Sequence, residues 1–451
     1  MPGFLRSSDA FIWSIESDPC LRSTIVVLVL LDRPPDWREL TKRFELLSRV
    51  VPAFRERVVP SPGLAPPRWE PDDEFDLAFH LRRVDAPAPG DMATLEEMAR
   101  IAAMADFDRA RPLWECTLIE GLVDGGAALL CKVNHALTDG VGAVEMAAAL
   151  YDRAPQYEEW PAPTGAAPRT TRASPYRTAA LGAVRYATDA LKATRRLPAL
   201  VGKGIQNPAK AVVETCETAA SVWRTAQPTR GPGSPIMIDR HKGRRLATHH
   251  VPTEGLHKAG LNAGGSLNDA FIAAVAGGLR RYHEKHGAMV ESLTMTMPIS
   301  VRTPHDPPGG NRATLMRFEV PVGIVDAAER IRIIHEATAK VRNEKSLRHT
   351  EFIAAALRLA PRWYVGSALR KVDFIASDVP GFAEPIYLAG AAVRMQYAFS
   401  PTLGAAFNIT LLTCVDECAL GINVDTAAIQ DVDVFHDCLI AGFDEVLALA
   451  H

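Results

Sequence analysis

The stretch CKVNHALTDGVGAVEMAAAL, residues 131–150, sets His135 between an apolar run and a turn holding Asp139 and Gly140. A neutral imidazole with an unperturbed pKa of about 6.5 can take a proton from a hydroxyl or amine near pH 7 without prior activation. At the end of a buried strand, where the chain turns, such a ring is rigidly held and still opens to a cleft. Asp139 can accept hydrogen bonds from backbone amides at a helix start, or pair with an arginine. Gly140 and Gly142 permit close approaches that a side chain would hinder. Residue types alone leave a second account open, because histidines beside turns are commonly polar surface groups and Asp-Gly pairs are frequent in turns.

The flanking elements must place that histidine. Residues 112–122 and 127–135 read as two strands joined by the Gly-bearing turn VDGG, a hairpin that ends at His135, and residues 142–154 read as the helix that closes the unit. Upstream, the β-branched run STIVVLVLLD (23–32) has the character of a buried strand, and residues 36–51 repeat apolar side chains at helical spacing after Pro34 and Pro35. From residue 236 strands and helices alternate again. Strands are expected at 245–252, 292–300, 314–322, 372–380, 392–400, 405–415 and 418–425, and helices from Thr253, at 266–287, 326–345, 352–371 and 432–450. This pattern predicts a mixed α/β (α+β) protein with two lobes, each a mixed sheet with covering helices, and a cleft between them. The expected division is 1–155 for the N-terminal lobe, 156–235 for a Pro/Ala-rich and then basic helical linker, and 236–451 for the C-terminal lobe.

Composition narrows the function. The chain has 451 residues, 50 Lys plus Arg against 53 Asp plus Glu, and a near-neutral net charge, so nucleic acid is not an expected partner. Its seven cysteines do not have zinc-site spacing, no metal is expected, and the thiols read as reduced in a cytoplasmic protein. No stretch reads as a secretory signal or a membrane span. The basic stretch within 173–230 has two readings, peripheral contact with an anionic membrane or lipid-droplet surface, or interrupted helices packed across the lobes with their charges in solvent.

The segment NHALTDG resembles the HHxxxDG motif of acyltransferases that share the chloramphenicol acetyltransferase and condensation-domain fold. More closely, the chain resembles the bacterial wax ester synthase/diacylglycerol acyltransferase family. PLW at Pro112, Leu113 and Trp114, ND at Asn268 and Asp269, PISVR ending at Arg302, and VPG at 379–381 follow that family's order nearly end to end. The resemblance implies two chloramphenicol-acetyltransferase-like lobes. It also implies an O-acyltransferase that moves a long-chain acyl group from acyl-CoA, as co-substrate and with no further cofactor, to diacylglycerol or a fatty alcohol. In that family the second motif histidine, here His135, is the general base, and the motif aspartate, here Asp139, is structural, with Arg302 its candidate partner. No G-x-S-x-G nucleophile elbow occurs, which agrees with direct transfer.

The chain departs from the family at Asn134, where histidine is usual, at Asp378 for asparagine and at Phe382 for proline. Asn134 hydrogen-bonds but cannot titrate, so rate or substrate choice is where it would act. Pro112, Leu113 and Trp114 read first as a packing unit and second as a lining of the acyl channel. Asn268 and Asp269, following Ser266, read first as a helix cap and second as cleft residues. His249 and His250 point to opposite faces of a strand and cannot chelate one metal. Two other functions stay in view: a condensation-like transferase with another acceptor, and a non-catalytic acyl-CoA or lipid-binding or lipid-droplet protein.

Overall fold

The computed structural model describes residues 3–61, 65–156, 233–300, 313–342, 369–370 and 372–451. The expected linker therefore lies almost wholly outside the described residues, as do Arg302 and nearly all of the helix expected at 352–371.

In chain order the first part contains α1 (Ser7–Ile15), β1 (Thr24–Leu31), α2 (Trp37–Val50), β2 (Glu56–Val59), β3 (Arg68–Pro71), α3 (Leu77–His80), β4 (Leu81–Asp85), α4 (Met92–Met104), β5 (Trp114–Glu120), β6 (Ala127–Asn134) and α5 (Gly140–Ala148). After the undescribed stretch come β7 (Arg244–Pro252), α6 (Thr253–Asn262), α7 (Leu267–Lys285), β8 (Ser292–Ser300), β9 (Ala313–Pro321), α8 (Ala327–Arg342), β10 (Phe374–Phe382), β11 (Tyr387–Leu388), β12 (Ala391–Phe399), β13 (Phe407–Cys414), β14 (Glu417–Asp425) and α9 (Val432–Leu447).

Two six-stranded sheets result, in the orders β11-β12-β1-β6-β5-β4 and β7-β14-β13-β10-β8-β9. The two-lobed mixed α/β expectation is met, but the lobes are not separate in sequence. β12 runs antiparallel to β1, from Val26 opposite Phe399 to Leu31 opposite Val393, so the second half of the chain supplies two strands to the first sheet. A C-terminal lobe of 236–451 is corrected to that extent. β1 alternates poorly in polarity because both of its faces are covered, and it needs a partner on each edge to satisfy its amides. The helix expected at 142–154 ends at Ala148, since Asp152 exchanges backbone hydrogen bonds with Tyr387 of β11 (2.8 and 2.9 Å) and pulls the chain out of helical geometry.

Each lobe has its own core. In the second, α7 is buried nearly all round and starts with a capping box in which Ser266 and Asp269 exchange hydrogen bonds. The buried Arg330 of α8 donates to the carbonyl of Ala273 on α7 (2.9 Å) and pairs with Glu445 of α9 (2.7 Å), tying three helices together. Between the lobes, Val26, Leu28, Leu130 and Phe399 from the first sheet meet Leu246 and Ala419 from the second in one apolar cluster.

The sheets approach closely at Gly421 of β14, where a Cβ would fall 2.1 Å from the carbonyl oxygen of Ala398 on β12. Only a glycine fits this approach. Gly421→Ala is expected to lower stability by about 1–3 kcal/mol, the usual cost of overpacking, as a fall in the urea midpoint; an unchanged midpoint would show the sheets to be less tightly joined.

Candidate active site

His135 follows β6 directly, and its backbone N–H donates to the carbonyl of Ser23, 2.9 Å away, one residue before β1. This extends the β1–β6 ladder past its last strand pair, Thr24 opposite Asn134. Ser23 is itself held by the buried carboxylate of Glu16 at the end of α1, which accepts from the Ser23 N–H (2.9 Å) and from its hydroxyl (2.5 Å). On the other side, the N–H of Asn134 donates to the carbonyl of Leu113 (3.0 Å). The histidine is thus fixed by backbone bonds to both flanking segments.

The turn that follows is built by Asn134. Its side-chain Oδ1 accepts from the N–H of Ala136 (2.9 Å), and its carbonyl accepts from that of Leu137 (2.9 Å). A side-chain amide that closes a turn on the residue two places ahead is a recognised use of asparagine, so the residue that departs from the family pattern has a local structural role here. Its Nδ2 is buried with no described partner. Two residues beyond that turn, the buried Asp139 caps α5, its Oδ1 accepting from Gly142 N–H at 2.7 Å. Capping satisfies an amide that the helix itself cannot.

Gly140 marks where the lobes meet at the site. A Cβ there would lie 3.0 Å from Cγ2 of Val379, in the VPG segment of β10, so the start of α5 abuts the second sheet. The nearby ring of Tyr151 packs edge-on against Phe382, with centroids 5.3 Å apart, and its hydroxyl accepts from Gln396 Nε2 (3.0 Å). Phe382, where proline is usual in the family, thus contributes a contact across the lobes.

The side chain of His135 is half-buried, so protein surrounds it while part of its surface stays open. Desolvation by that surrounding protein lowers its pKa below the usual 6.5, outweighing the opposing pull of its backbone contact and of the Asp139 carboxylate. The ring is therefore mainly neutral near pH 7, the form that accepts a proton. Cys131, on the strand leading to it, places its Sγ 3.2 Å from that of the cross-strand Cys116, whose thiol is pushed well above its ordinary pKa by burial. Neither has the environment of an activated nucleophile.

Other expected site residues are placed elsewhere. Pro112, Leu113 and Trp114 are buried. Trp114 stacks on His80 (4.7 Å) and donates from Nε1 to the carbonyl of Phe54 (2.9 Å), while Leu113 serves the site through the carbonyl that holds Asn134. These contacts are those of a packing unit, the first of the two readings of PLW. Asp269 accepts from Ser266, from His335 Nδ1 (2.8 Å) and from Thr338 Oγ1 (2.8 Å), and Asn268 Nδ2 lies 4.0 Å from Met297 Sδ, all partners in the second lobe. Glu16, Ser23 and Tyr151 were not foreseen, because their links to the site run through loops and across lobes. Among the described residues no group of His, Cys, Asp and Glu could hold a metal ion, and no helix is long and apolar enough to cross a membrane.

Residues 5–271 match the family model of the wax ester synthase/diacylglycerol acyltransferase catalytic domain, and residues 309–446 match that of the C-terminal domain of the same proteins. The chain belongs to the wax ester synthase/diacylglycerol acyltransferase family. It is an acyltransferase of that type. A Mycobacterium tuberculosis H37Rv protein provisionally described as a diacylglycerol O-acyltransferase is 35% identical over 96% of this chain and 90% of its own length. A second from the same strain is 29% identical over 99% and 97%. Among solved structures, the wax ester synthase/diacylglycerol acyltransferase of Marinobacter aquaeolei VT8 superposes with a TM-score of 0.67 at 22% identity, covering 99% of each chain. The first condensation domain of the CDA synthetase superposes at 0.61 with 15% identity, covering 100% of this chain and 97% of that one. These likenesses establish the two-lobed chloramphenicol-acetyltransferase and condensation-type fold.

Removing the α5 cap should loosen the loop that carries the histidine. Asp139→Ala is expected to cost at least about 1 kcal/mol, the typical worth of an N-cap, seen as a lower thermal midpoint; a midpoint equal to the parent's would show that the cap contributes nothing.

Proposed function

We propose that this family member transfers a long-chain acyl group from acyl-CoA to the free hydroxyl of diacylglycerol, making triacylglycerol, with His135 as the general base. The observation that carries the reading is a half-buried, mainly neutral imidazole held by backbone bonds where the two lobes meet. In the proposed step the ring nitrogen takes the hydroxyl proton as the oxygen attacks the thioester carbonyl carbon. The tetrahedral intermediate then breaks its C–S bond, and the departing thiolate takes the proton from the imidazolium. Protons and electrons balance with no cofactor and no acyl-enzyme. Asn134 and Asp139 act as positioning residues in this scheme, and Arg302 is proposed as a further partner of Asp139. Asn268 and Asp269, at the buried start of α7, are proposed to support the wall of the cleft rather than to touch substrate.

A fatty alcohol presents the same reacting group, and wax ester synthesis would use the same atoms. Purified parent protein given palmitoyl-CoA with diacylglycerol, or with hexadecanol, is expected to form the corresponding ester. His135→Ala should reduce turnover by roughly 10²-fold or more, the scale of a lost general base. Equal turnover by parent and variant would remove His135 from the role of base. Binding of acyl-CoA with turnover by neither would favour a lipid-binding protein instead.

A further inference from the structure

Cys131 and Val133 of β6 and His135 just beyond it each keep partial exposure, while the intervening Lys132 and Asn134 are buried on the opposite face. β6 lies between β1 and β5, so an open strip along one of its faces is not an edge effect. Nor is that face bare. Phe44 and Leu47 of α2, Met146 of α5 and Leu150 beyond it belong to the apolar cluster against which Cys131 and Val133 pack. The neighbouring strand widens the strip, because Val27 of β1, opposite Cys131, is also partly exposed. Further from the histidine the strip closes: Leu129 and Val29 face each other at 1% and 2% exposure.

Two properties give the strip an internal, apolar character. Burial lowers the pKa of His135 and raises that of the Tyr151 hydroxyl well above its ordinary value, yet both side chains keep accessible surface. Groups that the protein desolvates without covering face an enclosed space rather than bulk water. Tyr151 stands near the closed end, where its hydroxyl lies within electrostatic range of the Cys131 and Cys116 thiols and accepts from Gln396 Nε2 (3.0 Å). The second property is composition. Between His135 and Leu129 the open positions are Val133, Cys131 and Val27, which offer hydrocarbon and one thiol and no charge.

We propose that this strip is the wall of a dead-end channel for an alkyl chain, running from His135 past Val133 to Cys131, with Leu129 and Val29 as its floor and Cys131 as the residue that sets usable depth. The four residues from His135 to Cys131 span about 13 Å of strand, so a chain whose reacting group is held at the imidazole lays its methylenes along Val133 before it meets the thiol. Burial of those methylenes supplies the binding energy. Two sources carry such a chain: the acyl group of an acyl-CoA donor, or the tail of a lipid alcohol. The proposal rests on the acyl-transfer reading only for these candidate ligands.

The test reads binding rather than turnover. N-ethylmaleimide is expected to alkylate Cys131 of the folded parent, seen in the tryptic peptide from Ala110 to Lys132, whose fragment ions separate it from the buried Cys116. Palmitoyl-CoA or hexadecanol, at about ten times its dissociation constant, should slow that labelling about tenfold, whereas butyryl-CoA is too short to reach the thiol and should not. Protection by palmitoyl-CoA alone assigns the channel to the donor chain, by hexadecanol alone to the acceptor, and by each to either chain in turn. Cys131→Leu, which shortens the channel, should weaken the protecting ligand about tenfold in calorimetry and leave butyryl-CoA unchanged, since each methylene kept out costs about fourfold. Three results overturn the proposal: no labelling of the folded parent when the unfolded chain labels fully, equal protection by butyryl-CoA and palmitoyl-CoA, or no protection by any ligand. His135→Ala separates the two claims: turnover equal to the parent's, with chain-dependent protection of Cys131 intact, would sink the catalytic role and leave the channel standing.

Discussion

One strand holds the molecule together at its site. β1 pairs along one edge with β6, which ends at the histidine, and along the other with β12, which the second half of the chain contributes. Strand edges need partners to satisfy their amides, and here the two partners come from opposite halves of the sequence. The position of His135 and the joining of the lobes are therefore fixed by the same ladder. The close contact at Gly421 and the approach of Gly140 to Val379 then leave little freedom for the lobes to slide at that point.

Electrostatics at the site follow from burial more than from pairing. The carboxylate nearest the ring in sequence, Asp139, accepts from the Gly142 N–H as the cap of α5, and its charge raises the pKa of the imidazole by less than desolvation lowers it. A base kept neutral in this way needs no orienting triad to be available near pH 7.

Much of this was legible in the sequence. β8 matches residue for residue the run read as a strand, and Ser266 and Asp269 form the cap that their spacing implies. The hairpin to His135 was equally plain, because local alternation and turn residues encode it. What could not be read is non-local. Nothing in residues 387–399 indicates that they leave their own lobe, since a strand's pattern reports that a face is buried but not which sheet buries it. The shortened helix after Gly140 has the same origin, as Asp152 pairs with Tyr387 far along the chain. Glu16 reaches Ser23 through a loop of no regular period, and the stacking of Trp114 on His80 joins residues far apart in the chain.

The central claim is that desolvation keeps His135 a neutral base, and a histidine titration followed by NMR, set beside the pH dependence of kcat/KM, tests it most directly. Because the folded pKa lies below the ordinary 6.5, stability is lost as pH falls from about 6.5 toward the folded value, and activity should be lost around the folded value itself. The account predicts a resonance absent from His135→Gln that titrates below 6.5, with kcat/KM falling on the acid side at the same midpoint. A His135 midpoint at or above 6.5, or an acid limb that does not follow it, would contradict the account.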